Sequence, residues 1–201
     1  MLKIAVFVSG GGTNLQSLID ATQSGSINGE IVLVVSNRKN AYGLERARNA
    51  SIKAETIKDQ DVLITRLQEE QVDLIVLAGY LAIIPEKLIQ LYKNRIINIH
   101  PSLIPSFCGS GYYGLHVHEA ALKRGVKVSG ATVHFVNEEV DGGPIILQEA
   151  VNISDLTTAE DIQQRVLEIE HRLLPKAVQL FCEGKIKVEK GRAEILWKRE
   201  L

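Results

Sequence analysis

Four continuous apolar runs, KIAVFV (3–8), IVLVVS (31–36), DLIVLAG (73–79) and RIINI (95–99), set the fold class of this 201-residue chain. Runs without polar alternation are strands covered on both faces, and such strands pair in parallel with helices as their crossovers. The segments between them have helical periodicity, so this part reads as a Rossmann-like, doubly wound α/β sheet. Between the first two runs Leu15, Leu18 and Ile19 form one apolar stripe, with Asn14 expected as the N-cap and Gly25 as the helix stop.

After residue 99 the pattern changes. VSGATVHFV (128–136) and PIILQEAVNI (144–153) read as strands joined by the turn-rich NEEVDGG, which predicts an antiparallel section added to a mostly parallel sheet. Thr157 and Glu160 are expected to form a capping box ahead of a long helix with Ile162, Val166, Ile169 and Leu173 inward, and Pro175 to kink or restart it. KIKVEK-GR-AEILWK then predicts a terminal hairpin. No internal repeat, low-complexity tract or Pro/Ser-rich linker interrupts the chain, so 1–201 is expected to be a single domain.

The apolar runs are too short to span a bilayer, which argues against a membrane protein. MLKIAVFVSGGG lacks a cleavage site and leads into a glycine loop, so it reads as a first strand rather than a signal peptide, and a cytoplasmic protein is expected. A formal net charge of −1 with mixed signs leaves no electrostatic footprint for nucleic acid. Cys108 and Cys182 lack metal-ligand spacing and are expected to be free thiols.

Three segments carry candidate chemistry. Ser9-Gly10-Gly11-Gly12-Thr13-Asn14 lies between a buried strand and a helix, where glycines admit a ligand to the backbone and free N–H groups meet an anion. Leu15 stands where a dinucleotide fingerprint needs its third glycine, and no P-loop Lys follows, so the loop reads as a phosphate site or as a tight turn only. In Arg95–Ser102 a buried strand runs into a polar end, with Asn98 and His100 two apart on one side. An amide there can stabilise an oxyanion, and an imidazole can move a proton near neutral pH. The acidic loop containing Asp141 can return a carboxylate to the same sheet end, where it would raise the imidazole pKa; taken alone it is a turn with an acidic tip.

Neither a serine nor a cysteine elbow accompanies this set, so covalent catalysis is not expected. His116 and His118, with Glu119 beside them, could be a metal pair, but no further ligand follows at tight spacing; His116 is expected to line the site and His118 and Glu119 to begin a helix. On pattern alone Glu168, Glu170 and His171 belong to a solvated helix face.

At NIHPSLIPSF, GLHVHEA, GATVHFV and VDGGPIILQ the sequence resembles the folate-dependent formyltransferase family, and SGGGTNLQ with NAYGLERAR narrows the resemblance to its glycinamide ribonucleotide branch. Two other branches, methionyl-tRNA formyltransferase and formyltetrahydrofolate deformylase, carry extra domains in addition to the shared motif, and on its 201 residues this chain is not expected to carry either. The resemblance implies Asn98, His100 and Asp141 as catalytic residues. It also implies Gly12, Thr13 and Asn14 at the ribonucleotide phosphate and Glu170 at the glycinamide end. For the folate it implies Leu81, Ala82, Ile83 and Ile84, Asn98, and the loop Asn137, Glu138, Glu139, Val140 and Asp141. The implied substrates are 10-formyltetrahydrofolate, as co-substrate without a metal, and 5-phosphoribosylglycinamide, handled by a monomer or homodimer. Residues 1–100 are expected to form the phosphate half and 101–201 the folate half. Ala82 stands where many relatives have a basic residue, and 53–72 is shorter than usual, so the basic contact to the folate falls on Lys58 or Arg66. Loop 106–114, with Tyr112 and Tyr113, is longer than in the shortest relatives.

Overall fold

The computed structural model describes residues 1–196. A seven-stranded sheet runs in the order β3-β2-β1-β4-β5-β6-β7. Its parallel strands are β1 (Leu2–Val8), β2 (Gly29–Ser36), β3 (Lys53–Thr56), β4 (Leu74–Leu77) and β5 (Ile96–His100). The strands β6 (Val128–Phe135) and β7 (Ile145–Asn152) add the expected antiparallel section.

Alternation along β1 divides the core in two. Ile4, Val6 and Val8 pack with Leu15, Leu18 and Ile19 of α1 (Thr13–Gln23), Leu44 and Ala47 of α2 (Tyr42–Asn49), and the long α6 (Ala159–Cys182). Ala5 and Phe7 face the other way, against Leu63, Ile64 and Leu67 of α3 (Gln60–Glu69) and Leu88 and Ile89 of α4 (Glu86–Leu91). Helices therefore cover both faces, as the unbroken apolar runs require. The strand order reverses beside β1, between β2 and β4, so a crevice opens at the carboxyl ends of β1 and β4.

Local expectations differ at four places. The edge strand β3, KAET, has no apolar run and was not anticipated. Helix α1 is capped by Gly12 in the left-handed region at φ 71°, so Asn14 lies inside the first turn. Gly25, at φ 77°, does follow the helix end. The long helix is capped by Thr158, whose hydroxyl oxygen accepts from the Asp161 N–H, one residue beyond the expected box. Pro175 does not restart that helix, which runs as one element to Cys182. The hairpin forms as β8 (Ile186–Glu189) and β9 (Arg192–Ile195); the rest of its expected span, Trp197 and Lys198, lies outside the described residues. Among the described residues no helix is long and apolar enough to cross a membrane.

Candidate active site

One cleft of about 810 Å³ occupies the switch-point crevice. The loop after β1, the Gly79–Ile84 segment after β4, the end of β5, the Asn137–Asp141 loop and one face of α6 all line it. Apart from the two basic candidates Lys58 and Arg66, every residue singled out above as catalytic, phosphate-side or folate-side borders this space, although the sequence spreads them from Gly12 to Glu170. Both halves of the chain contribute to this lining, Leu81–Ile84 from residues 1–100 and Glu170 from residues 101–201.

The antiparallel register of β5 and β6 sets Asn98 opposite His134, and His100 opposite Thr132. The His134 Nδ1 lies 2.8 Å from the carbonyl oxygen of Phe135. A carbonyl can only accept, so that nitrogen carries the proton and Nε2 is left to accept from the Asn98 amide at 3.1 Å. One amide proton of Asn98 is thereby fixed and the other remains free. The polar His134 was missed in the sequence; its signal is a histidine inside a buried strand, made informative only by the register.

His100 is held by a loop. Its Nε2 lies 2.9 Å from the Phe107 carbonyl and its Nδ1 lies 3.6 Å from Asp141 Oδ2. The same carboxylate oxygen accepts the Gly109 N–H at 2.8 Å. Phe107 and Gly109 belong to the long 106–114 loop, which thus contributes backbone groups to both members of the pair. Ser102, buried at the start of this stretch, donates to the Ser106 carbonyl at 2.6 Å and secures the loop.

Burial pushes the His100 imidazole below its ordinary pKa; Asp141 and the Phe107 carbonyl push upward and do not overcome it. The sequence-based expectation of a raised imidazole is corrected accordingly: the carboxylate acts in the expected sense, but desolvation outweighs it. Burial would push the Asp141 carboxyl up, yet the positive charge that the His134 and His100 rings carry when protonated, with the Gly109 N–H, holds it below the usual carboxylate value. Asp141 sits at φ 56°, a left-handed conformation that Asp tolerates better than most residues.

His116 is exposed and pairs with Glu119, so it does not line the cleft as expected. His118 on α5 (Leu115–Arg124) does, 1% exposed, and burial with repulsion from His100 pushes it down to about 4. Among the described residues there is no group of three or more His, Cys, Asp or Glu side chains that could hold a metal ion. Cys108 and Cys182 are free thiols.

At the other end of the cleft Asn14 Nδ2 donates to Glu170 Oε2 at 2.7 Å. Glu170 is only 7% exposed, so the solvated-face reading of this position is wrong, and burial pushes its carboxyl up against the opposing Asn14 amide. The Asn14 Oδ1 is buried without a protein partner. The start of α1 carries no acidic residue in its first turn, which suits an anion.

The remaining wall is apolar. Leu81, Ile83, Val140, Tyr112 and Tyr113 are exposed around the mouth, with Ile83 at 87%. Ser9 anchors this wall: its hydroxyl accepts the Leu81 N–H at 2.8 Å and donates to Asn37 Oδ1 at 2.6 Å. Lys58 lines a second, smaller cleft of about 450 Å³ with Ala82 and Ile83, whereas Arg66 is engaged by Glu55, Glu69 and Glu70. Of the two basic candidates, Lys58 is the one placed beside the 81–84 segment.

Comparison with known proteins places this geometry. The family model for formyl transferases matches residues 2–178. The chain is 44% identical to the chloroplastic phosphoribosylglycinamide formyltransferase of Arabidopsis thaliana, over 92% of this chain and 67% of that protein. It is 42% identical to the phosphoribosylglycinamide formyltransferase of Haemophilus influenzae, over 96% of this chain and 93% of that one. The crystal structure of glycinamide ribonucleotide transformylase 1 from Symbiobacterium toebii superposes with a TM-score of 0.91 at 44% identity, covering 98% of this chain and 94% of that one. On this sequence match and shared architecture, the chain belongs to the formyl transferase family, in its phosphoribosylglycinamide formyltransferase branch.

Proposed function

We propose that the protein transfers the formyl group of 10-formyltetrahydrofolate to the amine of 5-phosphoribosylglycinamide, a step of purine (IMP) biosynthesis, by direct attack of the amine. The observation that carries this reading is the meeting of Asn98, His100 and Asp141 in one cleft with the glycine loop and Glu170. The first group suits acyl transfer, and the second suits a phosphorylated amine.

In this reading the phosphate rests on the N–H groups at Gly12, Thr13 and Asn14, and Glu170 receives the glycinamide end. The apolar wall at Leu81, Ala82, Ile83 and Ile84, with the Asn137–Asp141 loop, takes the flat pterin. The unprotonated amine attacks the formyl carbon, a C–N bond forms, and the carbonyl oxygen becomes an oxyanion. The free amide proton of Asn98 and an Nδ1 proton on His100 stabilise it. Because burial disfavours the charged ring, His100 Nδ1 takes that proton from solvent as the oxyanion develops and gives it back to solvent when the carbonyl re-forms. Asp141 supports the ring and, through a water, accepts the amine proton that is delivered to the departing folate nitrogen as its C–N bond breaks. The chemistry requires neither a metal nor a covalent enzyme intermediate.

The test is the fate of a carbon-labelled formyl group. The reading predicts label on the ribonucleotide as a formamide; label recovered as free formate, with or without ribonucleotide, contradicts it.

A further inference from the structure

The motif Tyr42-Gly43-Leu44-Glu45-Arg46 contributes no side chain to the chemistry above, yet it grips the glycine loop from behind. The Gly43 N–H donates to the Gly10 carbonyl at 3.0 Å. Arg46 Nε donates to the Gly11 carbonyl at 2.8 Å, and its Nη1 donates to Gln16 Oε1 at 3.3 Å. The approach is close: a Cβ on Gly12 would lie 2.6 Å from the Gly43 Cα, and one on Gly43 would lie 2.8 Å from Val8 Cγ2.

A trans peptide points its C=O and the following N–H in opposite directions. Holding the carbonyls of Gly10 and Gly11 against α2 therefore turns the N–H groups of Gly11 and Gly12 away from it, in a stretch that lines the cleft. Charge adds to this orientation. Glu45 is paired with Arg48, while Arg46 makes no ion pair among the described residues. Its charge is also felt at His171, next to Glu170, whose imidazole is pushed down first by burial and then by Arg46.

We propose that Arg46 is a positioning residue for the substrate phosphate, presenting the N–H groups of the glycine loop and leaving an unneutralised positive charge beside them. The proposal rests on the function proposed above and adds the residue that prepares its phosphate site.

Steady-state kinetics on Arg46→Met and Arg46→Lys test it, with inorganic phosphate as a competitive inhibitor against the ribonucleotide. Loss of a charge-assisted contact predicts that Arg46→Met raises both the ribonucleotide KM and the phosphate inhibition constant by ~10- to 100-fold. The folate KM stays near wild type, and kcat falls by a much smaller factor than the ribonucleotide KM rises. Arg46→Lys restores part of the phosphate inhibition, because it returns the charge without the guanidinium fork. A ribonucleotide KM and phosphate inhibition close to wild type in Arg46→Met would overturn the proposal, as would equal losses for folate and ribonucleotide, the mark of general disorder. If wild type itself deformylates the folate without ribonucleotide, the functional reading fails and takes this proposal with it; that outcome is visible before any variant is made.

Discussion

His100 Nε2 lies 2.9 Å from the carbonyl oxygen of Phe107, a residue itself held at φ 49°. Because the carbonyl can only accept, Nε2 carries a proton and Nδ1 is the nitrogen that titrates, facing Asp141 at 3.6 Å. Asp141→Asn removes the charge that pushes the ring pKa up, so the His100 titration moves further below its ordinary value. Nitrogen-resolved NMR titration of wild type and Asp141→Asn reads this directly. An upward shift, or none, contradicts the assigned electrostatics. Turnover in the variant falls by about 10²–10⁴-fold if the pair acts in proton transfer, with a much smaller change in KM.

Asn14 is the hydrogen-bond partner of the buried Glu170, and its amide pulls against the burial that raises the carboxyl pKa. In Asn14→Ala that pKa rises further. A raised carboxylate pKa confers stability at low pH that is lost as pH climbs through the folded value. The stability difference between wild type and Asn14→Ala should therefore widen from pH 5 to pH 8, to about 1–3 kcal/mol. Urea unfolding at the two pH values measures it. A difference that narrows with rising pH would contradict the charged pairing.

His118 has the opposite sign. Its folded pKa is about 4 against an ordinary 6.5, so the unfolded chain binds more protons between those values. Stability is present above pH 6.5 and is lost as pH falls through 4, by about 3 kcal/mol from this group. Its buried Nδ1 has no partner, so His118→Leu removes little and should flatten the acid limb of the stability curve. An unchanged slope in the variant would show that other groups dominate.

The Gly143 backbone leaves no space for a side chain: a Cβ there would lie 1.8 Å from the Phe135 carbonyl oxygen. Gly143→Ala must shift the loop that carries Asp141, costing about 1–3 kcal/mol as overpacked sites do. The loss of turnover should exceed what the unfolded fraction explains, and circular dichroism with kinetics on the same samples separates the two. Turnover per folded molecule equal to wild type would show that the loop position is not critical.

The sheet was legible where it is buried on both faces, because β1, β2, β4 and β5 have to be apolar throughout. The edge strand β3 escaped because Lys53–Thr56 is only half buried and pairs on one side alone. The cap of α1 was misplaced because Gly12 adopts a left-handed conformation that frees Asn14 to reach Glu170, and those two side chains are 156 residues apart in the chain. Asn98, His100 and Asp141 were readable from residue type and sheet-end position. His134 needed the β5–β6 register, and Phe107 and Gly109 act through backbone atoms that any residue possesses. The sign of the His100 shift depends on how much water the folded loops exclude, which the charge pattern of a sequence does not contain.

The most direct test of the account follows the ultraviolet absorbance change on deformylation of a 10-formyl folate, with and without glycinamide ribonucleotide, in wild type and His100→Ala. The account predicts turnover that requires the ribonucleotide and collapses in the variant while the fold is retained. Turnover that proceeds without the ribonucleotide, or that survives in His100→Ala at near the wild-type rate, would contradict it.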